Sequence, residues 1–196
     1  MRWIVVDGID GSGKTTHAVW IKEYYHKKGE STLIYFHPSD RLLGKISKAA
    51  LKKSGKIMQI VAAVFFIFDV LWSLGSMKKE SRRYDNIVFV RYLMATAYLP
   101  ERLMKSGYEF FKNLLPIPER LLLIDIDPVI AYTRITARQD EMEMFESLDQ
   151  LKKIRERMLM LAKDNWYVID NSCCDEVSVK RLTEILECWD REKQIP

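Results

Sequence analysis

The sequence predicts an α/β fold, a three-layer sandwich with a five-stranded parallel sheet covered by helices on both faces. Three observations predict it. Five short apolar runs alternate with longer helix-like stretches. The runs are apolar almost throughout, as strands buried on both faces are. A glycine-rich turn joins the first run to the first helix, and ligands of such sheets bind at the C-terminal strand ends.

The elements follow in chain order. Trp3–Val6 is an apolar, β-branched strand candidate. A helix is expected over Lys14–Lys28, closed by Gly29. Thr32–Phe36 reads as a strand, Pro38 falls in a connection, and Leu42–Lys52 reads as a helix. The next helix, Lys56–Glu80, holds nine uninterrupted apolar residues from Ile60 to Phe68, bracketed by Gln59 and Asp69. A membrane span needs about 20. The run is therefore expected to be a buried helix, and one apolar nearly all round wants cover on more than one side. Asn86–Val90 is the third strand and Tyr92–Lys105 the helix after it. Pro116 and Pro118 lie in the connection to the fourth strand, Arg120–Ile126. Pro128 suits a first helical turn after Asp127, opening a helix to Arg138. Asp125 and Asp127 there read as strand-end structure and a helix cap. Leu148–Lys163, the strand Trp166–Ile169 and Glu176–Arg191 complete the pattern as a single domain over residues 1–196.

The connection after the first strand carries the chemistry. Gly8-Ile9-Asp10-Gly11-Ser12-Gly13-Lys14-Thr15 spells G-x-x-x-x-G-K-[ST], with Thr16 following, between a strand and a helix as a working phosphate-binding loop requires. Glycines let backbone N–H groups turn inward around phosphate oxygens, and the helix points its positive end at the same anion. Lys14 is expected on the β- and γ-phosphates of a nucleotide, and the Thr15 hydroxyl on magnesium. Arg91 ends the third strand close to this loop, where a planar guanidinium suits an acceptor phosphate or the transferring group.

Composition bounds the partners. A formal net charge of +4, with scattered basic residues, is too mild for a dedicated nucleic-acid binder. Cys173, Cys174 and Cys188 form no disulfide framework and lie far from the three histidines, so a reduced cytoplasmic protein without a signal peptide is expected. No membrane partner is expected.

The chain resembles the thymidylate kinase family of P-loop nucleoside monophosphate kinases over almost its whole length. The resemblance rests on Asp7 to Thr16, on Arg91-Tyr92 through Ala97-Tyr98, and on Leu123 to Pro128. It extends to Arg134–Arg138, Ile154-Arg155 and Val168 to Asn171. It implies transfer of the ATP γ-phosphate to dTMP with magnesium, a lid at about 134–150, and a homodimer packed near the long apolar helix. It also implies residue roles. Asp10 contacts the acceptor sugar and Arg91 its phosphate. Phe66 stacks on thymine and Tyr98 lines the pocket. Arg134 opens the lid. Arg138 covers adenine, with Asn171 to Cys173 on the other side.

The departures concentrate on the acceptor. The family's Asp before Arg-Tyr is Val90, leaving the metal to Thr15, substrate oxygens and Asp7 or Asp10. The family's Arg-Glu-Pro reads Phe36-His37-Pro38, with Arg41 as a substitute. Val70 stands for an arginine and Leu99 for a glutamine. Gly11 replaces a basic residue of some relatives, yet the lid, Gln139 to Glu146, carries no base. Two alternatives therefore stand beside dTMP kinase: the same fold with another acceptor, or a nucleotide-binding protein without phosphoryl transfer.

Overall fold

The computed structural model describes residues 1–53, 55–99, 101–138, 143, 145–163 and 165–192. The strands are β1 (Arg2–Asp7), β2 (Thr32–Phe36), β3 (Asn86–Val90), β4 (Arg120–Asp125) and β5 (Trp166–Asp170). All pair in parallel, in the order β2-β3-β1-β4-β5. The helices are α1 (Lys14–Lys27), α2 (Leu42–Leu51), α3 (Lys56–Glu80), α4 (Glu101–Leu114), α5 (Pro128–Thr136), α6 (Leu148–Leu161) and α7 (Asp175–Glu192).

The pleat sends alternate residues of each strand to opposite faces. Ile4, Val6, Val88 and Leu122 pack against α1 and α7 through Ala18, Ile21, Leu182 and Leu186. Val5, Ile87, Phe89 and Leu121 pack on the other face against Leu74, Met77, Ile154 and Met158 of α3 and α6. The chain leaving β1 therefore enters one layer, while the chain leaving the adjacent β3 enters the other. A crevice opens between their C-terminal ends, at the switch point where ligands of such sheets bind.

Two elements differ from the sequence reading. The helix expected over Tyr92–Lys105 is a 3-10 turn, Leu93–Tyr98, followed by α4. The residue before a proline is driven out of the helical region, and Leu99, preceding Pro100, is extended at φ −69°, ψ 157°. The second difference is α3. By length and composition Ile57–Glu80 is apolar enough to cross a membrane, and only 28% of its most apolar stretch is buried. Val70, Leu74 and Met77 enter the core, whereas Ile57, Ile60, Phe68 and Trp72 remain exposed. The expectation of a buried helix fails because α3 lies on the outside of its layer.

The α2–α3 pair is fastened by polar groups. Asp69 on α3, fully buried, accepts hydrogen bonds from the Ser39 amide at 2.7 Å and the Ser39 hydroxyl at 2.6 Å. The Ser47 hydroxyl donates to the Ala62 carbonyl at 2.9 Å. The first turn of α2 touches the Ser39 backbone so closely that a Cβ on Gly44 would stand 2.2 Å from the Ser39 carbonyl oxygen. That neighbour is backbone and cannot rotate away. Gly44→Ala is expected to destabilise the protein by about 3 kcal/mol, near the upper end of overpacking costs. Urea unfolding of variant and wild type checks this, and equal midpoints refute it.

Candidate active site

The phosphate loop is fastened from below by residues far away in sequence. Asn171, after β5, donates from Nδ2 to the Ser12 carbonyl at 2.8 Å and accepts at Oδ1 from the Ser178 hydroxyl at 2.7 Å. Its side chain was expected beside adenine. Instead it is buried, with one end of its amide on the loop and the other on α7. His17, kept neutral by burial, touches the Gly13 carbonyl through Nδ1 at 3.0 Å. Gly11 sits at φ +77°, and a Cβ there would come within 2.6 Å of the Ala131 carbonyl oxygen on α5. A side chain at this position would displace α5, so the basic residue of some relatives has no room here. Ser12 Oγ is buried with no hydrogen-bond partner among the described residues, an orphan polar atom inside the loop.

Lys14 lies inside this cradle, with Nζ donating to the Ile9 carbonyl at 2.6 Å and standing 3.6 Å from Asp10 Oδ1. Burial lowers its pKa to about 8, against Asp7, Glu146 and Glu143, which raise it; the Arg138 charge lowers it further. Thr15 and Thr16 are exposed at the start of α1.

Asp7 joins the two sides of the crevice. It is 1% exposed, and Oδ2 accepts the amides of Tyr92 at 2.9 Å and Met94 at 3.2 Å. Burial pushes its pKa up to about 6, with those amides and Lys14 opposing. The segment it holds begins with Arg91 at φ 66°, a left-handed conformation rare outside glycine. Arg91 then donates to Asp10, which also accepts the Tyr98 hydroxyl at 3.2 Å. Lys14, Asp10, Arg91 and Tyr98 thus meet at one point. Val90, where the resemblance expects a carboxylate, is a core residue among Val6, Val88 and Ile124.

A cavity of about 530 Å³ extends from this point, lined by Asp10, Phe66, Val70, Arg91, Tyr98 and Leu99 among others. Phe66 is half-buried on its wall. Arg41 does not line it. Its guanidinium donates to Asp69 Oδ1 at 3.0 Å and to the Ser73 hydroxyl, so the residue expected to replace the missing acceptor arginine is spent on fastening α3.

Of the expected lid, Gln139 to Met142 and Met144 lie outside the described residues. Arg138 is exposed at the end of α5, and Arg134 reaches the Asn171 carbonyl at 3.5 Å. Arg155 pairs with Asp125 through two hydrogen bonds of 2.7 Å, and Asp127 caps α5 by accepting the Val129 amide at 2.7 Å. Cys173 is exposed between β5 and α7. The sequence reading missed the carboxylates of this region. Glu143 lines the cavity, and its pKa is raised by burial, with Arg91 opposing. Glu146, 9% exposed, accepts the Glu143 amide at 2.6 Å. Phe145 between them meets Tyr98 with ring centroids 5.0 Å apart. Only the acidity of the stretch signalled them; their approach to Lys14 and Arg91 is tertiary.

The donor set fits a hard cation only in part. Among the described residues no three His, Cys, Asp or Glu side chains gather to hold a metal. Asp7, expected as a possible ligand, is buried with Oδ2 occupied by two amides. The exposed Thr15 hydroxyl remains, which suits magnesium completed by phosphate oxygens and water.

Two pH effects follow. Lys14 has to be protonated to hold a polyphosphate, and its pKa in the free protein is about 8. ATP binding is therefore expected to take up a proton, and affinity to fall above about pH 8 with a slope approaching tenfold per unit. Calorimetry in buffers of different ionisation heat measures the uptake; a flat profile to about pH 9.5 contradicts it. Asp7 has its folded pKa raised from 3.8 to about 6, so the folded state holds more protons between these values and stability falls as pH rises through them. Asp7→Asn removes this loss. The stability difference is expected to move in the variant's favour by up to about 3 kcal/mol across that window, read from denaturation at each pH.

A family model for thymidylate kinase matches residues 6–180. Among curated proteins, the chain is 27% identical to a probable thymidylate kinase of Archaeoglobus fulgidus over 194 residues, covering 95% of both chains. It is 28% identical to a probable thymidylate kinase of Pyrobaculum aerophilum over 191 residues, covering 95% of this chain and 97% of the relative. Identity reaches 30% over 194 residues with a thymidylate kinase of Leptospira interrogans, 93% of this chain and 92% of that one. With the phosphate loop, the five-stranded parallel sheet and this match over most of its length, the chain belongs to the thymidylate kinase family of phosphotransferases.

Proposed function

We propose that this chain is a magnesium-dependent thymidylate kinase, acting as a single domain that converts dTMP and ATP to dTDP and ADP. The convergence of Lys14, Asp10, Arg91 and Tyr98 at the mouth of one cavity carries the reading. The loop amides and Lys14 hold the donor's β- and γ-phosphates. Arg91 exchanges Asp10 for the acceptor phosphate, which frees Asp10 and Tyr98 for the sugar. Phe66 stacks on the base. Arg138 covers the adenine side. Magnesium, when bound, neutralises phosphate charge beside Thr15. The protein's own contribution is positioning and charge stabilisation, with no covalent intermediate.

Two assignments rest on surface chemistry. Ile57, Ile60, Val64, Phe68, Leu71 and Trp72 form an exposed apolar stripe at helical spacing on α3, suited to a second copy of the chain. Cys173, Cys174 and Cys188 are free thiols, which fits the cytoplasm. A second reading keeps the fold and changes the acceptor; the apolar Val70 and Leu99 on the cavity wall favour it.

An ADP-release assay over dTMP, dUMP and purine monophosphates tests the proposal. Turnover is expected with dTMP foremost. Lys14→Ala and Arg91→Ala are each expected to lower kcat/KM by about 10³-fold. Tight ATP binding without turnover of any nucleoside monophosphate would sink it.

A further inference from the structure

Among the described residues, the cavity beyond Arg91 is polar at one end only. Asp10, Arg91, Tyr98 and Glu143 cluster against the phosphate loop. The hydroxyls on the remaining described wall already donate elsewhere: Ser47 to the Ala62 carbonyl at 2.9 Å, Tyr92 to the Pro116 carbonyl at 2.8 Å and Thr96 to the Leu93 carbonyl at 2.8 Å. Gln59, exposed at the start of α3, is the remaining neutral amide among the described lining residues. The other described side chains facing the space are aliphatic or aromatic, including Val70, Leu99, Phe111 and Leu115. The apolar wall also runs out to the surface. Ile60 and Val64 line the cavity and are 63% and 41% exposed.

A nucleobase brings carbonyl and N–H groups that need partners once water is removed, and leaving them unpaired costs affinity. An apolar body has no such groups and gains with every methylene it hides. We infer that this site also accepts monophosphates whose body is wholly apolar, an alkyl, prenyl or aryl monophosphate. The phosphate sits at Arg91, and the body lies along Val70 and Leu99 toward Ile60 and Val64. The inference rests on phosphoryl transfer at this site and extends its acceptor class. An oxygen of the acceptor phosphate attacks the γ-phosphorus of ATP. A new P–O bond forms as the bond from the γ-phosphorus to the β–γ bridging oxygen breaks. ADP leaves with that electron pair, and an apolar diphosphate is the product. The acceptor reacts as its dianion, so no proton has to be removed.

The experiment pairs binding with turnover. Butyl, hexyl and octyl monophosphates, with dTMP in parallel, are titrated by calorimetry into the wild-type protein and offered with ATP in the ADP-release assay. Affinity for the alkyl series is expected to rise by about fourfold per methylene until the cavity is filled. Leu99→Gln places an unpaired amide on the wall. It is expected to weaken octyl phosphate by about tenfold or more and dTMP by less, since a base can pair with the amide. Alkyl phosphates that do not bind, or bind without dependence on chain length, overturn the inference whatever dTMP does. Failure of dTMP to turn over, with alkyl phosphates binding as described and phosphorylated, removes the thymidylate reading and supports this one. Alkyl phosphates that bind but yield no ADP overturn the proposed transfer.

Discussion

The site depends on one buried carboxylate. Asp7 ends β1, and its Oδ2 receives the amides of Tyr92 and Met94 from the chain leaving β3. This bond ties the root of the donor loop to the segment that presents Arg91. Together with the Arg91 amide, which donates to the Val6 carbonyl at 3.0 Å, it holds Arg91 in a left-handed conformation that is costly for a side chain with a Cβ. With it, Arg91 is aimed at Asp10, and Asp10 in turn stands beside Lys14. Burial raises the cost of keeping Asp7 charged, and the two amides with the nearby Lys14 and Arg91 offset part of it. The protein tolerates an expensive group because the geometry of the crevice passes through it.

Charge at the crevice is arranged in opposing layers. Lys14 and Arg91 are the cations that a polyphosphate needs, and both face the one Asp10 carboxylate in the free protein. Glu143 and Glu146 add negative charge from the segment above. Of the other basic groups near the lid, Arg155 is paired with Asp125 and Arg134 reaches the carbonyl of Asn171, while Arg138 is exposed. A nucleotide entering here exchanges internal ion pairs for phosphate contacts instead of filling a vacant positive pocket. Such an exchange favours ligands with concentrated charge, since only they recover the bonds they displace.

The cavity wall follows the opposite logic. Where the family resemblance expects an arginine and a glutamine, Val70 and Leu99 extend an apolar wall, and Arg41 is turned away to hold Asp69. Val90 likewise belongs to the core. The stripe on α3 belongs to the same surface, because Ile60 and Val64 serve both it and the cavity.

Local pattern is enough for the strand–loop–helix unit at Gly8 to Thr15, all five strands and their α/β arrangement. These are patterns of neighbouring residues, and local sterics with buried apolar runs suffice to specify them. It also determined Asp127 as a cap, a contact spanning two residues. It misjudged the helix after β3, where Pro100 outweighed periodicity, and the burial of α3, which depends on what the rest of the layer covers. Folding alone makes Asp7 grip a segment 85 residues away, Asn171 hold a loop 159 residues away, and Arg41 face α3. The approach of Glu143 to Arg91 was decided in the same way. Side-chain partners of this kind are chosen by where the sheet order brings strand ends together, and no local pattern encodes that meeting.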